Sequence, residues 1–452
     1  MRVDWENWQM PAKKCLEWFI SEMGEEEWIS RRMEVVDYFQ SLKKVTLLEE
    51  NVQTGDFACK YSPIAIYSDW ISWYMYLVES IFLRQGCDDP SQSSRIYPFF
   101  AVIGEGLDLL KKMDGIDDKI STILNEKQNM PDSTLFELTI ALLYANKGYQ
   151  VTFIKERKDH KMPDLEVSNG ADKFFVECKR LAKVTDYAEE ERLEWQRRSK
   201  HLFNAMRIQR IPSHANVVFK VPIAETAENI LGALFTAYVN SNKINDGSLL
   251  SNTQVDFKAY PLDVDDFNRK LNDAPCRPNS PQMIYDLLGQ FDVQGNYTFL
   301  TSPSRIDSIN PDNKLFVLND FYGGVYEVYS AQWESISIDA INYKAKDIKK
   351  ILSNAVKQIP DGSRGVIHVA YETVTGDAVE KIRYEKIKNV INSFDFGEKN
   401  IQSVYCHALQ LLTDVDGSKW AETSSFFKNE DSELSNDLIF DFPETNQTAH
   451  WM

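Results

Sequence analysis

Residues 162–180 decide the fold, and they read MPDLEVSNGADKFFVECKR. Two short extended runs, 163–168 and 173–180, flank the dipeptide Asn169-Gly170, which is a strong turn signal between strands. A third extended run, 149–155, comes before them and follows a helix predicted over 131–148. The sequence therefore predicts a helix followed by three short strands, the last two forming a hairpin.

Two registers of this hairpin are open. A two-residue turn at Asn169-Gly170 pairs Asp164 with Phe175 and makes Glu177 a diagonal neighbour of Asp164. A four-residue loop over 169–172 instead puts Asp164 directly opposite Glu177. Either loop brings the two carboxylates to one face, with their β-carbons about 5 Å apart if opposed or about 7 to 8 Å apart if diagonal.

Three charged side chains are predicted to share this face. Residues two apart on a strand point the same way, so Lys179 lies with Glu177 while Cys178 points to the opposite side. Carboxylate oxygens on a rigid hairpin suit Mg²⁺, with Mn²⁺ as its substitute, better than Zn²⁺. We predict Asp164 and Glu177 as metal ligands and Lys179 as the catalytic lysine that orients a nucleophile or balances charge at a phosphate. The alternative to a metal site is a solvated cluster of charged side chains on a surface hairpin, without a catalytic function.

The preceding helix offers one more acid, Glu137. A helix that leads into a small sheet can aim an early residue at the end of a strand, where Glu137 would join the other two carboxylates. Thr134 to Glu137 also fits a capping box, in which the glutamate only satisfies backbone donors at the start of the helix. Both roles remain open at the level of sequence.

The charge of the chain restricts how it can meet nucleic acid. Its 452 residues include 50 Lys+Arg and 68 Asp+Glu, a formal net charge of −18, which excludes a uniform coat for DNA or RNA. Two windows are nevertheless basic: residues 147–220 hold 16 basic and 11 acidic side chains, and residues 341–365 hold 6 and 2. Next to a metal site they predict a phosphate track, and the alternative is a solvated helix face. The predicted nucleic-acid-binding residues are Arg180, Lys183, Arg197, Arg198, Lys200 and Arg207.

Other kinds of chemistry lack their motifs. The six cysteines form no C-x-x-C pair and the six histidines form no metal or catalytic pattern, so zinc sites and disulfide scaffolds are not indicated. No nucleotide-motor motif of the form G-x-x-x-x-G-K-[ST] occurs, so an ATP-driven motor would have to be another chain. The sequence opens without the apolar segment of a signal peptide and has no apolar run of about 18 residues, so we expect a cytoplasmic protein with no membrane partner.

The helix with Glu137, the strand before Pro163-Asp164, and Glu177-Cys178-Lys179 together resemble the restriction-endonuclease-like PD-(D/E)xK superfamily of Mg²⁺-dependent nucleases. The resemblance covers about residues 130–220. It implies an αβββαβ core, Asp164 and Glu177 as metal ligands, Lys179 as catalytic lysine, the main-chain carbonyl of Cys178 as a further ligand, and Glu137 as an additional helix acid. It also implies a DNA endonuclease in bacterial restriction or antiphage defence.

The resemblance leaves several alternatives open. The core could be completed by the helix 188–210 with the strand 215–221, or by the helix 344–359 with the strand 365–371, which would make 181–340 a large insertion. The chain could instead be a non-catalytic module that binds nucleic acid or a partner, or a nuclease that processes RNA. Double-strand cleavage by one site per chain would favour a homodimer, and a partner protein of a multi-component system is the other expectation.

The expected fold class is α/β, in a multidomain α+β arrangement. The core has an N-terminal helical domain before it and a mixed α/β half after it. The predicted boundaries are a helical domain over 1–125, the core over 126–220, a mixed insertion or accessory region over 221–340, an α/β segment over 341–420 and an acidic tail over 421–452.

Overall fold

The computed structural model describes residues 5–49, 68–83, 90–125, 131–155, 162–170, 172–181, 185–306, 321–414, 417–429 and 434–440. Within these ranges the chain is mixed α/β, as the sequence predicts. It contains two mixed β-sheets and the helices that pack on them.

The chain begins with helices. In order they are α1 (Trp5–Met23), α2 (Glu25–Glu49), α3 (Trp70–Leu83), α4 (Pro90–Glu105), α5 (Leu107–Leu110), α6 (Ile116–Asn125) and α7 (Asp132–Asn146). The helix α3 is buried over nearly its whole length, because its sequence is apolar and aromatic on all sides.

The predicted hairpin follows α7. Three strands form here: β1 (Gln150–Phe153), β2 (Leu165–Asn169) and β3 (Asp172–Arg180). The strand β2 pairs antiparallel with β1 on one side and with β3 on the other. Ser168 lies opposite Lys173, so the hairpin has the register predicted for a four-residue loop over 169–172. Gly170 adopts a positive φ of 63° in this loop, a conformation that glycine accepts without steric strain.

A second unit is inserted after β3. It comprises α8 (Asp186–Gln209), β4 (Ser213–Phe219), a 3₁₀ turn (Ile223–Glu225), α9 (Ile230–Asn240), a second 3₁₀ turn (Lys243–Asn245), β5 (Leu250–Ser251), β6 (Val255–Pro261), α10 (Val264–Asp273), α11 (Pro281–Leu288), β7 (Asn296–Ile306) and β8 (Phe321–Ser335). Its sheet has the order β5-β6-β4-β8-β7, and apolar clusters pack on both faces.

The chain then returns to the first sheet. The remaining elements are α12 (Ile338–Lys344), α13 (Lys349–Val356), β9 (Arg364–Glu372), α14 (Asp377–Ser393), β10 (Asn400–Asp414) and β11 (Gly417–Lys428). The first sheet has the order β1-β2-β3-β9-β10-β11. The strand β9 runs parallel to both β3 and β10, whereas β11 is antiparallel to β10.

This topology decides which elements follow the hairpin in its own sheet. The strand β4, one of the two candidates, pairs only with β6 and β8 of the inserted sheet, so the neighbour of β3 is β9. The single helix expected over 344–359 is wrong: α12 and α13 are separate. The Asp347 side chain accepts a hydrogen bond from the main-chain N–H of Lys349 (2.9 Å), in the turn just before α13 begins.

Two of the expected domain limits do not coincide with packing. The hydrophobic core of α1–α7 continues without interruption into the first sheet, where it includes Val176 of β3 and Val366 of β9. Among the described residues, one hydrophobic core therefore extends across the limit expected at residue 125. The acidic tail expected over 421–452 is also wrong for its first residues, because 421–428 belong to β11 and the side chain of Glu422 is buried.

Candidate metal centre

Asp164 lies just before β2 and is held against β3 by its main chain and its side chain. Its N–H donates to the carbonyl of Val176 (3.1 Å), and its carbonyl accepts from Ile154 (2.9 Å). Its carboxylate Oδ2 accepts a hydrogen bond from the Cys178 N–H (2.7 Å). The Asp164 carboxylate is therefore turned toward β3, on which Glu177 and Lys179 lie.

Glu177 is the most enclosed acid of the site. Its side chain has no solvent exposure, and its Oε1 contacts both the Lys179 ammonium and the Gln358 amide. Its other oxygen, Oε2, is buried and has no hydrogen-bond partner among the described residues. A buried carboxylate oxygen without a donor is costly for a fold, so this atom is available for a ligand that the protein alone does not supply.

The electrostatics of Glu177 agree with this geometry. Burial, followed by the nearby charge of Asp164, raises the pKa of Glu177 to about 9, although Lys179 acts in the opposite direction. Without a cation, Glu177 therefore holds a proton at neutral pH. A divalent cation at Oε2 would displace that proton, because a metal binds the ionised carboxylate.

Lys179 is the catalytic lysine predicted by the sequence, and it lies beside both acids. Burial alone would lower its pKa, but the contact with Glu177, above all when that carboxyl is ionised, and the charge of Asp164 outweigh this effect and the pKa is raised. Its side chain keeps 27% exposure, whereas Glu177 keeps none. The ammonium is thus a charged group at the mouth of the site, within reach of a substrate that approaches from solvent.

Glu137 lies in α7 with 7% exposure, and its charge is among those that raise the pKa of Glu177. The capping box is wrong, because α7 begins at Asp132 after Pro131 and Thr134 therefore lies inside the helix. The Glu137 Oε2 instead pairs with the Lys119 ammonium of α6 at 2.6 Å. Glu137 consequently belongs to the electrostatic surroundings of the site and has its own counter-ion.

The donor set fits a magnesium ion that keeps much of its water. Asp164 and Glu177 supply carboxylate oxygens, and Mg²⁺ commonly uses one or two carboxylates together with several waters. Over the described ranges, no group of three or more His, Cys, Asp or Glu side chains is arranged to hold a metal ion. The Cys178 carbonyl stays a prediction, since only its N–H has a defined contact here.

Two residues of the site carry no signal in the sequence. Gln358 follows α13 and is 181 positions from Glu177, whereas Lys119 lies on α6, in the helical region before the hairpin. Neither belongs to a motif, and only the packing of α13 and α6 around the first sheet brings them to the acids. A basic residue and an amide on these helices look like ordinary surface residues until the sheet order is known.

Two of the basic residues predicted to bind nucleic acid are buried. Arg180 is 5% exposed, pairs with Glu372 and lies 3.6 Å from Asp132, while the planar group of Arg198 donates to the hydroxyl and carbonyl of Thr226 (2.7 Å each). Both guanidiniums satisfy buried acceptors of the fold. A phosphate backbone would have to displace these partners to reach them.

The other predicted contacts differ in position. Arg197 is exposed and pairs with Glu194, Lys200 is half-buried, and Arg207 is exposed near the C-terminal end of α8. All three lie on the inserted unit, whereas the acids lie on the first sheet. Lys183 lies outside the described residues.

Comparison with protein-family models finds no match, and comparison with curated proteins finds none. Among the described helices, none combines the length and the apolar character needed to cross a lipid bilayer.

Proposed function

We propose that the chain is a Mg²⁺-dependent nuclease that hydrolyses DNA phosphodiester bonds as an endonuclease. The observation that carries the proposal is the cluster of Asp164, Glu177 and Lys179 on one hairpin, in which the buried Oε2 of Glu177 has no partner among the described residues. Mn²⁺ is expected to replace Mg²⁺, because both accept carboxylate and water oxygens.

The topology supports the restriction-endonuclease-like core that the resemblance implies. The helix α7, the strands β1, β2 and β3, the helix α13 and the strand β9 follow the order αβββαβ, and the inserted unit lies between β3 and the last helix. The four strands are neighbours in one sheet in chain order. The second of the two completions considered for the core therefore fits the proposal.

Each side chain has a distinct task in the proposed reaction. When bound, the metal would stabilise negative charge on the phosphate and lower the pKa of a water molecule. Asp164 and the ionised Glu177 would hold the ion, and the Cys178 N–H fixes the orientation of the Asp164 carboxylate. The Lys179 ammonium donates hydrogen bonds to the attacking water or to a phosphate oxygen, where it compensates developing negative charge.

The direct test is cleavage of supercoiled plasmid DNA with Mg²⁺ by the wild type and by Lys179→Ala. We expect the variant to lose cleavage because it removes the only ammonium bound to Glu177 among the described residues. Lys173→Ala is a matched control: Lys173 lies on the same strand and pairs with Glu166 (2.7 Å), away from the predicted metal ligands. It should cleave as the wild type does.

Equal cleavage by the wild type and Lys179→Ala would contradict the proposal. Cleavage of RNA but not DNA would keep the site and change the substrate.

The role in restriction or antiphage defence rests on the resemblance, and its test is phage protection in cells, which Asp164→Ala should abolish. Double-strand breaks would further require two sites, so we propose a homodimer or a partner chain on the substrate, measurable by light scattering with DNA.

A further inference from the structure

A groove on the inserted unit lies where the C-terminal end of α8 meets β8. It has a volume of about 670 Å³, which is within the size range of ligand sites. The strands beneath it belong to the inserted sheet, whereas the candidate metal centre lies on the first sheet. The side chains that carry the argument are Asn204, Arg207, Ile208 and Arg210 from the end of α8, and Tyr326 and Glu327 from β8.

The aromatic side chain of this groove is presented by a β-bulge. Ser302 of β7 pairs with Glu327 and Pro303 pairs with Val325, so Tyr326 has no counterpart on β7. A bulge re-aims the side chain of the extra residue, and Tyr326 is 79% exposed. An exposed aromatic ring at a bulge offers a flat face on which another planar group can stack.

The positive charge of the groove comes from the end of α8. Arg210 ends α8 with a φ of 54°, a left-handed backbone conformation that residues other than glycine rarely adopt. Its guanidinium has no side-chain partner among the described residues. Arg207 is exposed one helical turn earlier, and Glu327 is the acid that lines the groove. No acidic residue occurs over 195–210 in a chain whose net charge is −18. With two arginines and one glutamate, the lining of the groove has a positive balance on a chain that is acidic overall.

We infer that this groove binds single-stranded nucleic acid, with a base stacked on Tyr326 and the backbone phosphates paired with Arg207 and Arg210. Aromatic rings beside a basic track are the usual means of holding unpaired nucleotides, since every base has a face that can stack. The side chain of Ile208, 80% exposed at the same place, adds an apolar contact for the base or sugar. A duplex keeps its bases stacked inside, so it can use the arginines but not Tyr326.

The test is binding of a fluorescent dT20 oligonucleotide and of a 20-base-pair duplex to the full chain in EDTA. Tyr326→Ala should weaken dT20 binding about tenfold, because stacking contributes roughly that much per base. Arg210→Gly should reduce the salt dependence of dT20 binding by about 0.7 in log–log slope, the share of one phosphate contact. Glycine accepts the positive φ of this position, so the fold is kept.

Two variants on the same unit serve as controls. Tyr285→Ala removes a 48% exposed aromatic ring of α11, and Arg269→Ala removes an arginine of α10 whose side chain is 69% exposed. Both should bind dT20 as the wild type does. Repeating the titration with rU20 distinguishes DNA from RNA, and either single strand supports the inference.

Unchanged dT20 binding by both Tyr326→Ala and Arg210→Gly would overturn the inference. An equal loss for dT20 and the duplex in Tyr326→Ala would also overturn it, because the ring would then not read unpaired bases. EDTA removes the metal, so the result is independent of cleavage. A chain that binds dT20 in this way but never cleaves DNA would refute the proposed nuclease and leave the groove intact.

Discussion

Two glutamates of the first sheet, Glu177 on β3 and Glu422 on β11, are both completely buried, yet their surroundings differ. Both oxygens of Glu422 are satisfied: Oε1 contacts His407 Nδ1 (3.0 Å) and accepts from the Ile439 N–H (3.1 Å), and Oε2 accepts from the Phe440 N–H (2.9 Å). Glu177 keeps one oxygen without a partner among the described residues.

The carboxylate of Glu422 ends a buried chain of hydrogen bonds. His407 Nε2 contacts His368 Nδ1 (3.0 Å), and His368 Nε2 contacts the Tyr144 hydroxyl (2.8 Å), so β11, β10, β9 and α7 are linked. Burial and the neighbouring His407 hold the pKa of His368 well below its usual range, which keeps His368 neutral. A fully partnered buried acid thus stabilises a fold, whereas a buried carboxylate oxygen without a partner, next to Asp164 and Lys179, supports the proposed metal site.

The largest expected difference between the two glutamates is in activity. Glu177→Gln should lower plasmid cleavage about 1000-fold, because loss of a metal ligand removes several kcal/mol of transition-state stabilisation. Glu422→Gln, assayed at a temperature where it is folded, should keep the activity of the wild type per folded molecule. If both folded variants lost plasmid cleavage to a similar extent, the hydrogen bonding of these two glutamates would not distinguish a functional residue from a structural one.

The free energy of unfolding should be lowered more by Glu422→Gln than by Glu177→Gln, the reverse of their expected effects on cleavage. Glu422→Gln replaces one of the two acceptor oxygens by an NH₂ donor, so the backbone N–H of Ile439 or of Phe440 loses its acceptor. This change should lower the free energy of unfolding by about 3 kcal/mol. Glu177→Gln should not destabilise the metal-free protein at pH 7, because its carboxyl is already protonated there. Urea unfolding monitored by circular dichroism measures both values. Equal destabilisation by the two substitutions would contradict the assignment of Glu422 to structure and Glu177 to function.

The titration of Glu177 should make the stability of the wild type depend on pH in a way that Glu177→Gln does not. Its pKa is about 9 in the folded state and about 4.3 in the unfolded chain, so between these values the folded state holds a proton that the unfolded chain has released. The free energy of unfolding of the metal-free protein should therefore fall with rising pH, by up to about 1.4 kcal/mol per pH unit. Urea titrations in EDTA from about pH 7 to 9, above the range in which the buried His214 and His368 contribute the opposite slope, should show a steeper fall in the wild type than in Glu177→Gln. Parallel curves would refute the assignment.

The smallest expected effect comes from Gln358, which shares Oε1 of Glu177 with Lys179. Gln358→Leu removes the amide that contacts Oε1 and should weaken Mg²⁺ binding about tenfold, as loss of a group that orients a ligand does. Calorimetric titration with Mg²⁺ measures the change. Lys357→Ala, an exposed neighbour, is the control and should bind as the wild type does. If Gln358→Leu also binds normally, the orientation of Glu177 comes from Lys179 and the strand alone.

Local sequence predicted the hairpin and its charged face because both depend on residues close in the chain. Asn169-Gly170 marks the turn, and strand alternation places Glu177 and Lys179 together, where the structure has them in contact. The buried partners were not predictable in this way. The ion pairs of Arg180 and the hydrogen bonds of Arg198 join segments that only the sheet order brings together, so both residues looked like free cations.

The sequence by itself determined the mixed α/β class, the hairpin, and the placement of Asp164, Glu177 and Lys179 close to one another, because turn chemistry and the two-residue period of a strand act over a few positions. Only the tertiary structure decided that β9 rather than β4 lies next to β3, and that Gln358 and Lys119 reach the acids. The tertiary structure also decided that Oε2 of Glu177 is buried without a partner among the described residues. Burial and long-range pairing depend on which distant segments share a sheet, and no local pattern encodes that choice.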